Sequence, residues 1–373
     1  MRFLIASHVV HKRVGNQFFA YGPYVKEINL WLKYVDEVVI VAPKVDNQSP
    51  DPIDLPYDHS RIKMVSVPEF DVLNWSSRIK SLFAIPAILF HLFGQMRKAD
   101  HIHLRCPGNI GFLACLVQVF FPKTPKSAKY AGNWDPTSQQ PFTYQLQRKI
   151  LSNEAWTKNM KVLVYGDWDQ KNKNLLSFFT ASYSRNQLID TPVRPLELPL
   201  RFIYVGSLHP GKNPMISCEA VKELIKNQIN CQLHLYGEGA ERSIIQNFID
   251  ENDLKENIFL HGNVDSPTLQ KAYQSSHFLL FASDTEGWPK AVAEAMFWGC
   301  VPITTKVSCV PQMLGHGERG ELIEKSAHQM AERIEALLKN PTLYSQKAKK
   351  AMSWSREFTL EKFDAEIQKV LVG

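Results

Sequence analysis

Two glutamates lie eight positions apart in the most motif-like stretch of the sequence, Leu279–Thr305 (LLFASDTEGWPKAVAEAMFWGCVPITT). Glu286 follows an apolar run, and Glu294 lies in a segment with helical periodicity. Carboxylates accept paired hydrogen bonds from vicinal hydroxyl groups, so this spacing suits the binding of a polyhydroxylated ligand. Taken without their neighbours, the two residues would more often be an exposed loop glutamate and a solvated helix glutamate than parts of a binding site.

The residues around the glutamates predict a strand, a loop, a helix and a second strand. The loop covers Ser283–Pro289, the helix runs from about Lys290 to Trp298, and the next strand is Val301–Thr304. Pro289 suits the first position of a helix, and Gly287 allows the backbone to approach a ligand closely. The start of such a helix presents unpaired N–H groups and a positive dipole end, which favour an anion.

Short apolar runs alternate with longer helical segments along nearly the whole chain, which predicts parallel, doubly wound sheets covered on both faces. Two such series indicate an α/β protein with two Rossmann-like domains. The proline-rich connector Thr191–Leu200 separates them. The predicted strands are Phe3–Ala6, Val38–Val41, Ile102–Leu104, Ala128–Ala131, Val162–Tyr165, Phe202–Val205, Gln232–Tyr236, Ile258–Leu260, His277–Ala282 and Val301–Thr304.

The stretch EGWPKAVAEAMFWGCVPI resembles the Glu-x7-Glu signature of glycosyltransferase family 4, whose members are retaining enzymes of the GT-B fold. The resemblance implies that Glu286 contacts hydroxyl groups of the donor sugar near the reaction centre. It also implies that Glu294 binds the ribose hydroxyls of the nucleotide. The backbone that would line the sugar and diphosphate is that of Gly287, Trp288, Pro289 and Lys290.

A second segment, Phe202–Asn213 (FIYVGSLHPGKN), resembles the family's glycine turn and its lysine element, which neutralises the donor diphosphate. Gly206 and Lys212 occupy the matching positions. Ser207 stands where the family has an arginine, and Asn213 replaces a glycine. We therefore hypothesise that Lys290 or His209 supplies the second cation. By the same resemblance, Asn263 and Val264 lie in the loop that faces the nucleotide base.

In the GT-B scheme the N-terminal domain holds the acceptor. The candidate residues for contact with the acceptor or the donor sugar are Gly22 in the first loop, Arg105 after the strand Ile102–Leu104, and Asn133 and Trp134 where the family has a histidine. Arg105 could bind a phosphate group or form a salt bridge with a nearby carboxylate. Trp134 could stack on a sugar face, or the segment 132–135 could be a polar loop.

Charge is distributed unevenly between the two halves. The formal charge of +6 comes from residues 1–180, which hold 22 Lys+Arg and 14 Asp+Glu, whereas residues 181–373 hold 21 and 23. The apolar run Leu82–Phe93 is shorter than the ~18–20 residues that span a bilayer. With Arg78, Lys80, Arg97 and Lys98 around it, it is either a core helix or one that meets an anionic membrane surface.

Two function classes find no support in the residues. No recognised nucleic-acid module accompanies the positive charge. The six cysteines lack metal-ligand spacing, which favours buried thiols in a reducing compartment, and no Asp-x-Asp pair stands where it would suit Mg²⁺. We expect a cytoplasmic enzyme without cofactor or metal, and peripheral attachment to the inner face of the membrane is the alternative that the basic residues around Leu82–Phe93 leave open.

The sequence thus predicts a GT-B architecture whose two Rossmann-like domains face a central cleft. Residues 1–190 form the acceptor domain, residues 191–354 form the nucleotide-sugar domain, and a C-terminal helix (about 355–373) returns to the first. The expected activity is retaining transfer of a hexose-type sugar from a UDP- or GDP-sugar to a glycan or lipid-linked glycan in cell-surface polysaccharide or lipopolysaccharide biosynthesis. The alternatives are a nucleotide-sugar epimerase or hydrolase, and an inactive donor-binding scaffold.

Overall fold

The computed structural model describes residues 1–46, 48–68, 75–169 and 171–372, with the backbone alone for 75–83. The chain forms two compact units. The N-terminal unit comprises Met1–Phe178 and Phe363–Gly373, and the C-terminal unit comprises Phe179–Lys362. The sequence analysis instead predicts the domain boundary between residues 190 and 191.

The N-terminal unit is built on a parallel sheet with strand order β11-β10-β9-β8-β1-β4-β7. Helices connect most of these strands, as right-handed βαβ crossovers require. The strands are β1 (Arg2–Ala6), β4 (Glu37–Ala42), β7 (Ile62–Ser66), β8 (His101–Cys106), β9 (Lys126–Tyr130), β10 (Met160–Tyr165) and β11 (Leu175–Phe178). The helices are α1 (Gly22–Leu32), α2 (Trp75–Met96), α3 (Asn109–Val117), α4 (Phe142–Ser152) and, from Phe363 onward, α12 (Leu360–Val372).

A second, small sheet follows β1, where the sequence analysis expected a single loop. Its order is β5-β2-β3-β6, formed by β2 (His11–Val14), β3 (Gln17–Tyr21), β5 (Lys44–Val45) and β6 (Asp54–Pro56). Gly15 turns the β2–β3 hairpin with a φ of 59°, a conformation that glycine adopts at little cost.

The C-terminal unit has a parallel sheet with strand order β14-β13-β12-β15-β16-β17. The strands are β12 (Leu200–Val205), β13 (Cys231–Tyr236), β14 (Ile258–Gly262), β15 (Phe278–Phe281), β16 (Val301–Thr305) and β17 (Glu321–Ile323). The helices are α5 (Pro214–Lys226), α6 (Arg242–Glu251), α7 (Ser266–Ser275), α8 (Lys290–Phe297), α9 (Val310–Met313), α10 (Ala327–Leu338) and α11 (Pro341–Ser355).

The prediction of two Rossmann-like α/β domains is confirmed by these two parallel sheets. The predicted strands all appear, with bounds shifted by one or two residues. The sequence analysis missed β7, β11 and β17 as well as the small sheet.

Helix α2 shows why the run Leu82–Phe93 is so apolar. Ile88, Leu92 and Met96 recur at helical spacing and are fully buried in the core of the N-terminal unit. Phe90, by contrast, is 77% exposed. The run is therefore a core helix on one face and presents an aromatic ring to solvent on another. Arg78 and Lys80, predicted to flank it, lie outside the residues whose side chains are described.

Candidate functional site

The sheet of the C-terminal unit changes its direction of growth between β12 and β15. These strands are neighbours, with Phe202 opposite Phe278, yet the chain continues from them toward opposite edges of the sheet. Loops that leave adjacent carboxyl ends in opposite directions open a crevice, which is where open α/β sheets bind ligands. Lys212 follows β12 and Glu286 follows β15, so both predicted residues belong to this crevice.

Lys212 and Glu286 contact each other directly, with the lysine Nζ donating to a carboxylate oxygen. The glutamate side chain is 9% exposed and the lysine side chain 29%. The ammonium group also lies 5.6 Å from the centroid of the Phe281 ring. The two predicted catalytic residues therefore form one ion pair, and its cation remains accessible to solvent.

Hydrogen bonds fix the two loops to each other. The N–H of Asp284 donates to the carbonyl of Gly211 (3.0 Å), and the Asn213 amide donates to the carbonyl of Ala282 (2.9 Å) and to Asp284 (2.8 Å). Lys325 donates to the same carboxylate oxygen at 2.8 Å. Although partial burial raises the pKa of Asp284, the Lys325 and Asn213 hydrogen bonds bring it below its usual value. Sequence spacing gave no signal for Lys325, because it is distant along the chain.

The backbone explains why Asn213 can replace the family's glycine. Its φ and ψ are 47° and 50°, in the left-handed region, and it forms the N-cap of α5. Asparagine is among the few residues besides glycine that adopt this conformation routinely. Ser207, at the arginine position, is exposed and supplies no cation.

Helix α8 carries the second glutamate. Val292 and Ala293 donate to the carbonyl of Pro289, so the N–H groups of Lys290 and Ala291 precede the first hydrogen bonds of the helix. Glu294 accepts a hydrogen bond from the Ser182 hydroxyl at 2.5 Å. Lys290 is exposed at the first position of the helix, whereas Pro289 is its buried N-cap.

Negative charge at Glu294 affects the tyrosines packed around it. Burial and then the Glu294 carboxylate raise the pKa of Tyr183, and the same two causes raise the pKa of Tyr273 well above its ordinary value. Glu294 thus lies among hydroxyl groups that stay protonated at neutral pH and can donate hydrogen bonds to it.

Trp288 and Gly287 occupy the loop between the two glutamates. The Trp288 ring stacks on Trp354 (6.1 Å, 23° between planes) and contacts Phe358 and Phe179. The carbonyl of Gly287 accepts from Ser308 at 3.4 Å. The indole thus anchors the loop to α11, and any contact of this segment with a sugar would come from its backbone.

The glycines at the ends of β12 and β13 keep the neighbouring loops in close contact. Gly206 donates to the carbonyl of Tyr236 at 3.0 Å. Gly237 has a φ of 143°, and a Cβ at that position would lie 1.9 Å from the Gly206 carbonyl oxygen. Beyond β14, Asn263 is exposed and Val264 half-buried, in the loop predicted to face the base.

In the N-terminal unit, Arg105 forms the salt bridge that the sequence analysis left as an alternative to phosphate binding. Its guanidinium lies 3.5 Å from Glu27 of α1, and Lys129 lies 3.8 Å from the same oxygen. Arg105 and Lys129 are register partners on β8 and β9. The lysine is fully buried, 4.6 Å from the Tyr165 ring and 4.4 Å from the Phe178 ring.

The other predicted acceptor-side residues have structural partners. Gly22 donates to the carbonyl of Ile53 at 3.1 Å, and a Cβ there would lie 2.3 Å from that oxygen. Asn133 accepts from the Asp135 N–H at 2.9 Å. Trp134 is 4% exposed, with its ring edge-on to Tyr130. Protein therefore covers Trp134, and the expected sugar-stacking face is not presented to solvent.

The described residues are those of the ranges 1–46, 48–68, 75–169 and 171–372. They contain no group of three or more His, Cys, Asp or Glu residues placed to hold a metal ion. The sequence analysis overlooked an Asp-x-Asp pair, Asp167 and Asp169, which follows β10; among the described residues no third His, Cys, Asp or Glu joins it to hold a metal ion. All six cysteines are described, buried and free, and burial raises the pKa of the Cys309 thiol to about 12. None of the described helices has the length and apolar character needed to cross a membrane.

Comparison with known families places the glutamate pair in a recognised domain. Residues 193–354 match the family model described as "Glycosyl transferases group 1". A poly(ribitol-phosphate) alpha-N-acetylglucosaminyltransferase of Staphylococcus aureus is 26% identical over 165 residues, which are 44% of this chain and 32% of that protein. The chain spans less than half the length of the first curated relatives that it matches.

Solved structures resemble the chain over nearly its whole length. Sucrose-phosphate synthase from Thermosynechococcus elongatus covers 99% of this chain and 98% of its own, with a TM-score of 0.66 and 18% identity. Anabaena Alr3699/HepE, solved with UDP and glucose, covers 100% and 99%, with a TM-score of 0.64 and 12% identity. The predicted fold class, a GT-B arrangement of α/β domains, is confirmed.

Proposed function

We propose that the chain is a retaining, nucleotide-sugar-dependent glycosyltransferase that moves a hexose-type sugar to a glycan or lipid-linked glycan acceptor. One observation carries the proposal: the Lys212–Glu286 pair lies at the crevice between β12 and β15, with Glu294 eight residues further along on α8. This arrangement falls within the stretch that matches the group 1 glycosyl transferases. The retaining outcome rests on the resemblance to glycosyltransferase family 4.

The site can bind a donor without a metal ion. When the bond between the anomeric carbon and the diphosphate breaks, negative charge develops on the leaving phosphate. Lys212 and the N–H groups at the start of α8 are positioned to offset that charge. Glu286 accepts hydrogen bonds from sugar hydroxyls, and Glu294 from the ribose.

A UDP- or GDP-sugar is the donor that we propose, since the relatives include an N-acetylglucosaminyltransferase and the HepE structure holds UDP. For the acceptor we propose a phosphate-bearing surface glycan or its lipid-linked precursor. The Staphylococcus relative is named for a poly(ribitol-phosphate) substrate. The excess positive charge of residues 1–180 complements such an anion.

Peripheral contact with an anionic membrane on the cytoplasmic side is part of the proposal. Phe90 and Phe120 are 77% and 70% exposed, and Phe93, whose ring centroid lies 6.3 Å from that of Phe120, is also exposed. Two exposed basic residues, Arg97 and Lys98, directly follow the end of α2, the helix that carries Phe90 and Phe93. Apolar rings beside cations are typical of surfaces that enter the headgroup region.

Donor binding gives a first test. Isothermal titration of UDP, GDP and their glucose and N-acetylglucosamine derivatives should show saturable binding to the wild-type protein. We expect Lys212→Ala to weaken the preferred nucleotide by about tenfold or more, as loss of a charge-assisted contact to phosphate does. If Lys290 supplies the second cation, Lys290→Ala should weaken binding as well. The control is Lys255→Ala, an exposed lysine beyond α6.

The outcomes separate the alternatives. Unchanged affinity in Lys290→Ala would mean that Lys290 does not replace the arginine lost at Ser207. Binding without turnover over a broad acceptor panel would indicate a donor-binding scaffold. Free sugar or an epimer formed without acceptor would indicate a hydrolase or epimerase. No binding of any nucleotide would contradict the proposed function.

A further inference from the structure

A cavity of about 600 Å³, open on one side, is lined by residues of the N-terminal unit, and Arg105 is not among them. It is bounded by Trp134 and Pro136 after β9, by helix α4, and by Trp168, Asp169 and Leu175 near the ends of β10 and β11. This volume falls within the ~300–1,000 Å³ of typical small-molecule sites. The sequence analysis did not anticipate it, because its walls come from three separate parts of the chain.

One face of α4 supplies much of the wall. Phe142, Gln145, Leu146 and Lys149 line the cavity at positions i, i+3, i+4 and i+7, which share a side of a helix. Phe142 stands at the first position of α4 and is 76% exposed. A large ring held in solvent beside a cavity is available to pack against a ligand.

The opposite wall is ordered by hydrogen bonds. The Trp168 indole N–H donates to the carbonyl of Tyr165 at 2.7 Å, which fixes the orientation of its ring. Arg148 donates to the carbonyls of Trp134 (3.1 Å) and Asp135 (2.6 Å) and so holds the segment after β9 against α4. The cavity is therefore formed in advance of any ligand, which lowers the entropy cost of binding.

The lining combines aromatic rings with a few hydrogen-bonding groups of both charges. Phe142 and Trp168 provide rings, Gln145 an amide, Lys149 an ammonium group and Asp169 a carboxylate. Flat rings pack against the C–H faces of a pyranose, while the polar groups can bond its hydroxyls. An acyl chain would contact the rings but none of the polar groups, whereas a pyranose uses both.

We propose that this cavity binds one or two pyranose units of the acceptor glycan. The assignment of the ligand as an acceptor rests on the proposed function, whereas binding in the cavity needs no donor. The stacking role that the sequence suggested for Trp134 belongs to Phe142 and Trp168, since Trp134 forms the buried back wall.

Direct binding of oligosaccharides tests the proposal. Saturation-transfer NMR and calorimetry would be run with maltotriose, mannotriose and triacetylchitotriose, and with n-dodecyl phosphate as a lipid-like anion. We expect saturable binding of at least one trisaccharide, weakened about tenfold by Phe142→Ala through loss of the ring contact. The matched control is Phe120→Ala, an equally exposed ring outside the cavity, which should leave the affinity unchanged.

Three results would overturn the proposal: no saturable binding of any trisaccharide, equal affinity of wild type and Phe142→Ala, or binding of n-dodecyl phosphate alone. A separate titration with the preferred nucleotide keeps this test apart from the proposed function. Trisaccharide binding without nucleotide binding would contradict the transferase and leave the glycan site standing. Nucleotide binding without trisaccharide binding would contradict the glycan site and leave the proposed transferase function standing.

Discussion

The two units place a glutamate beside cations near the carboxyl ends of their strands, but in different surroundings. In the N-terminal unit Arg105 and Lys129 lie within β8 and β9, and Lys129 is enclosed by aromatic rings. In the C-terminal unit Lys212 and Glu286 lie in loops beyond β12 and β15, with the lysine 29% exposed. Paired charges within strands are part of the protein interior, whereas charges on loops beyond the strand ends are accessible to a ligand.

Because the two clusters differ in burial, we expect them to contribute to different properties of the protein. Removing one partner of a buried ion pair leaves the other charge without compensation, so the N-terminal cluster should control stability. The partly exposed C-terminal pair can be solvated when it is broken, so it should control binding and turnover.

The largest expected effect is that of Glu27→Gln. This change leaves Arg105 and Lys129 facing a neutral amide inside the protein, and we expect a loss of about 3–5 kcal/mol in the free energy of unfolding. Urea denaturation followed by circular dichroism measures it. The control is Glu37→Gln, which breaks a partly exposed pair with Arg2 at 3.8 Å and should cost about 0–1 kcal/mol. Equal effects of the two changes would contradict a structural role for the cluster.

Acid sensitivity provides a second contrast. Burial lowers the pKa of His11 to about 4, from 6.5. Between these pH values the unfolded chain binds a proton that the folded chain does not, so stability falls as the pH falls. The free energy of unfolding, measured by urea denaturation across this range, should depend less on pH in His11→Gln, by up to about 1.4 kcal/mol per pH unit.

The opposite sign is expected at an exposed histidine of the C-terminal unit. A hydrogen bond that His328 donates to the Glu223 carboxylate raises the pKa of the imidazole. Its contribution is therefore present below pH 6.5 and is lost as the pH rises through the folded-state pKa. His328→Gln is thus the control for His11→Gln. An unchanged pH dependence in His11→Gln would show that His11 does not titrate as its burial implies.

Membrane attachment gives the smallest expected change and again contrasts the units. Co-sedimentation with anionic vesicles should exceed that with neutral ones, and Arg97→Ala should weaken it about fivefold, since each basic residue contributes about 1 kcal/mol. Lys271→Ala, an exposed lysine of the C-terminal unit, should change nothing. Equal pelleting with neutral and anionic vesicles would exclude electrostatic attachment.

Much of the fold could be predicted because strands buried on both faces are continuous apolar runs, as in β4 and β15. The strands of the small sheet were missed because they are short and contain polar residues. β2 reads HKRV and is mostly exposed, so its sequence resembles a loop. Its pairing with β3 and β5 depends on tertiary contacts that no local pattern records.

The candidate site shows the same limit. Glu286, Glu294 and Lys212 were identified because residue types recur around them in a specific order. No local pattern distinguishes an accessible Arg105 from one bound to Glu27 on another element. The burial of Trp134 likewise depends on how Tyr130 packs against it. Sequence patterns therefore brought together residues that contact each other in the C-terminal unit, but they did not reveal the partners of Arg105 and Trp134 in the N-terminal unit.

Turnover of nucleotide sugars tests the central claim most directly. Wild-type protein, Glu286→Ala and Glu294→Ala would be assayed with UDP- and GDP-sugars and a panel of glycan and lipid-linked acceptors, with thermal unfolding as a check of folding. We predict transfer by the wild type and a loss of about 100-fold or more in kcat/KM for Glu286→Ala, with the fold retained. Undiminished transfer by both folded variants would contradict the assignment of the site.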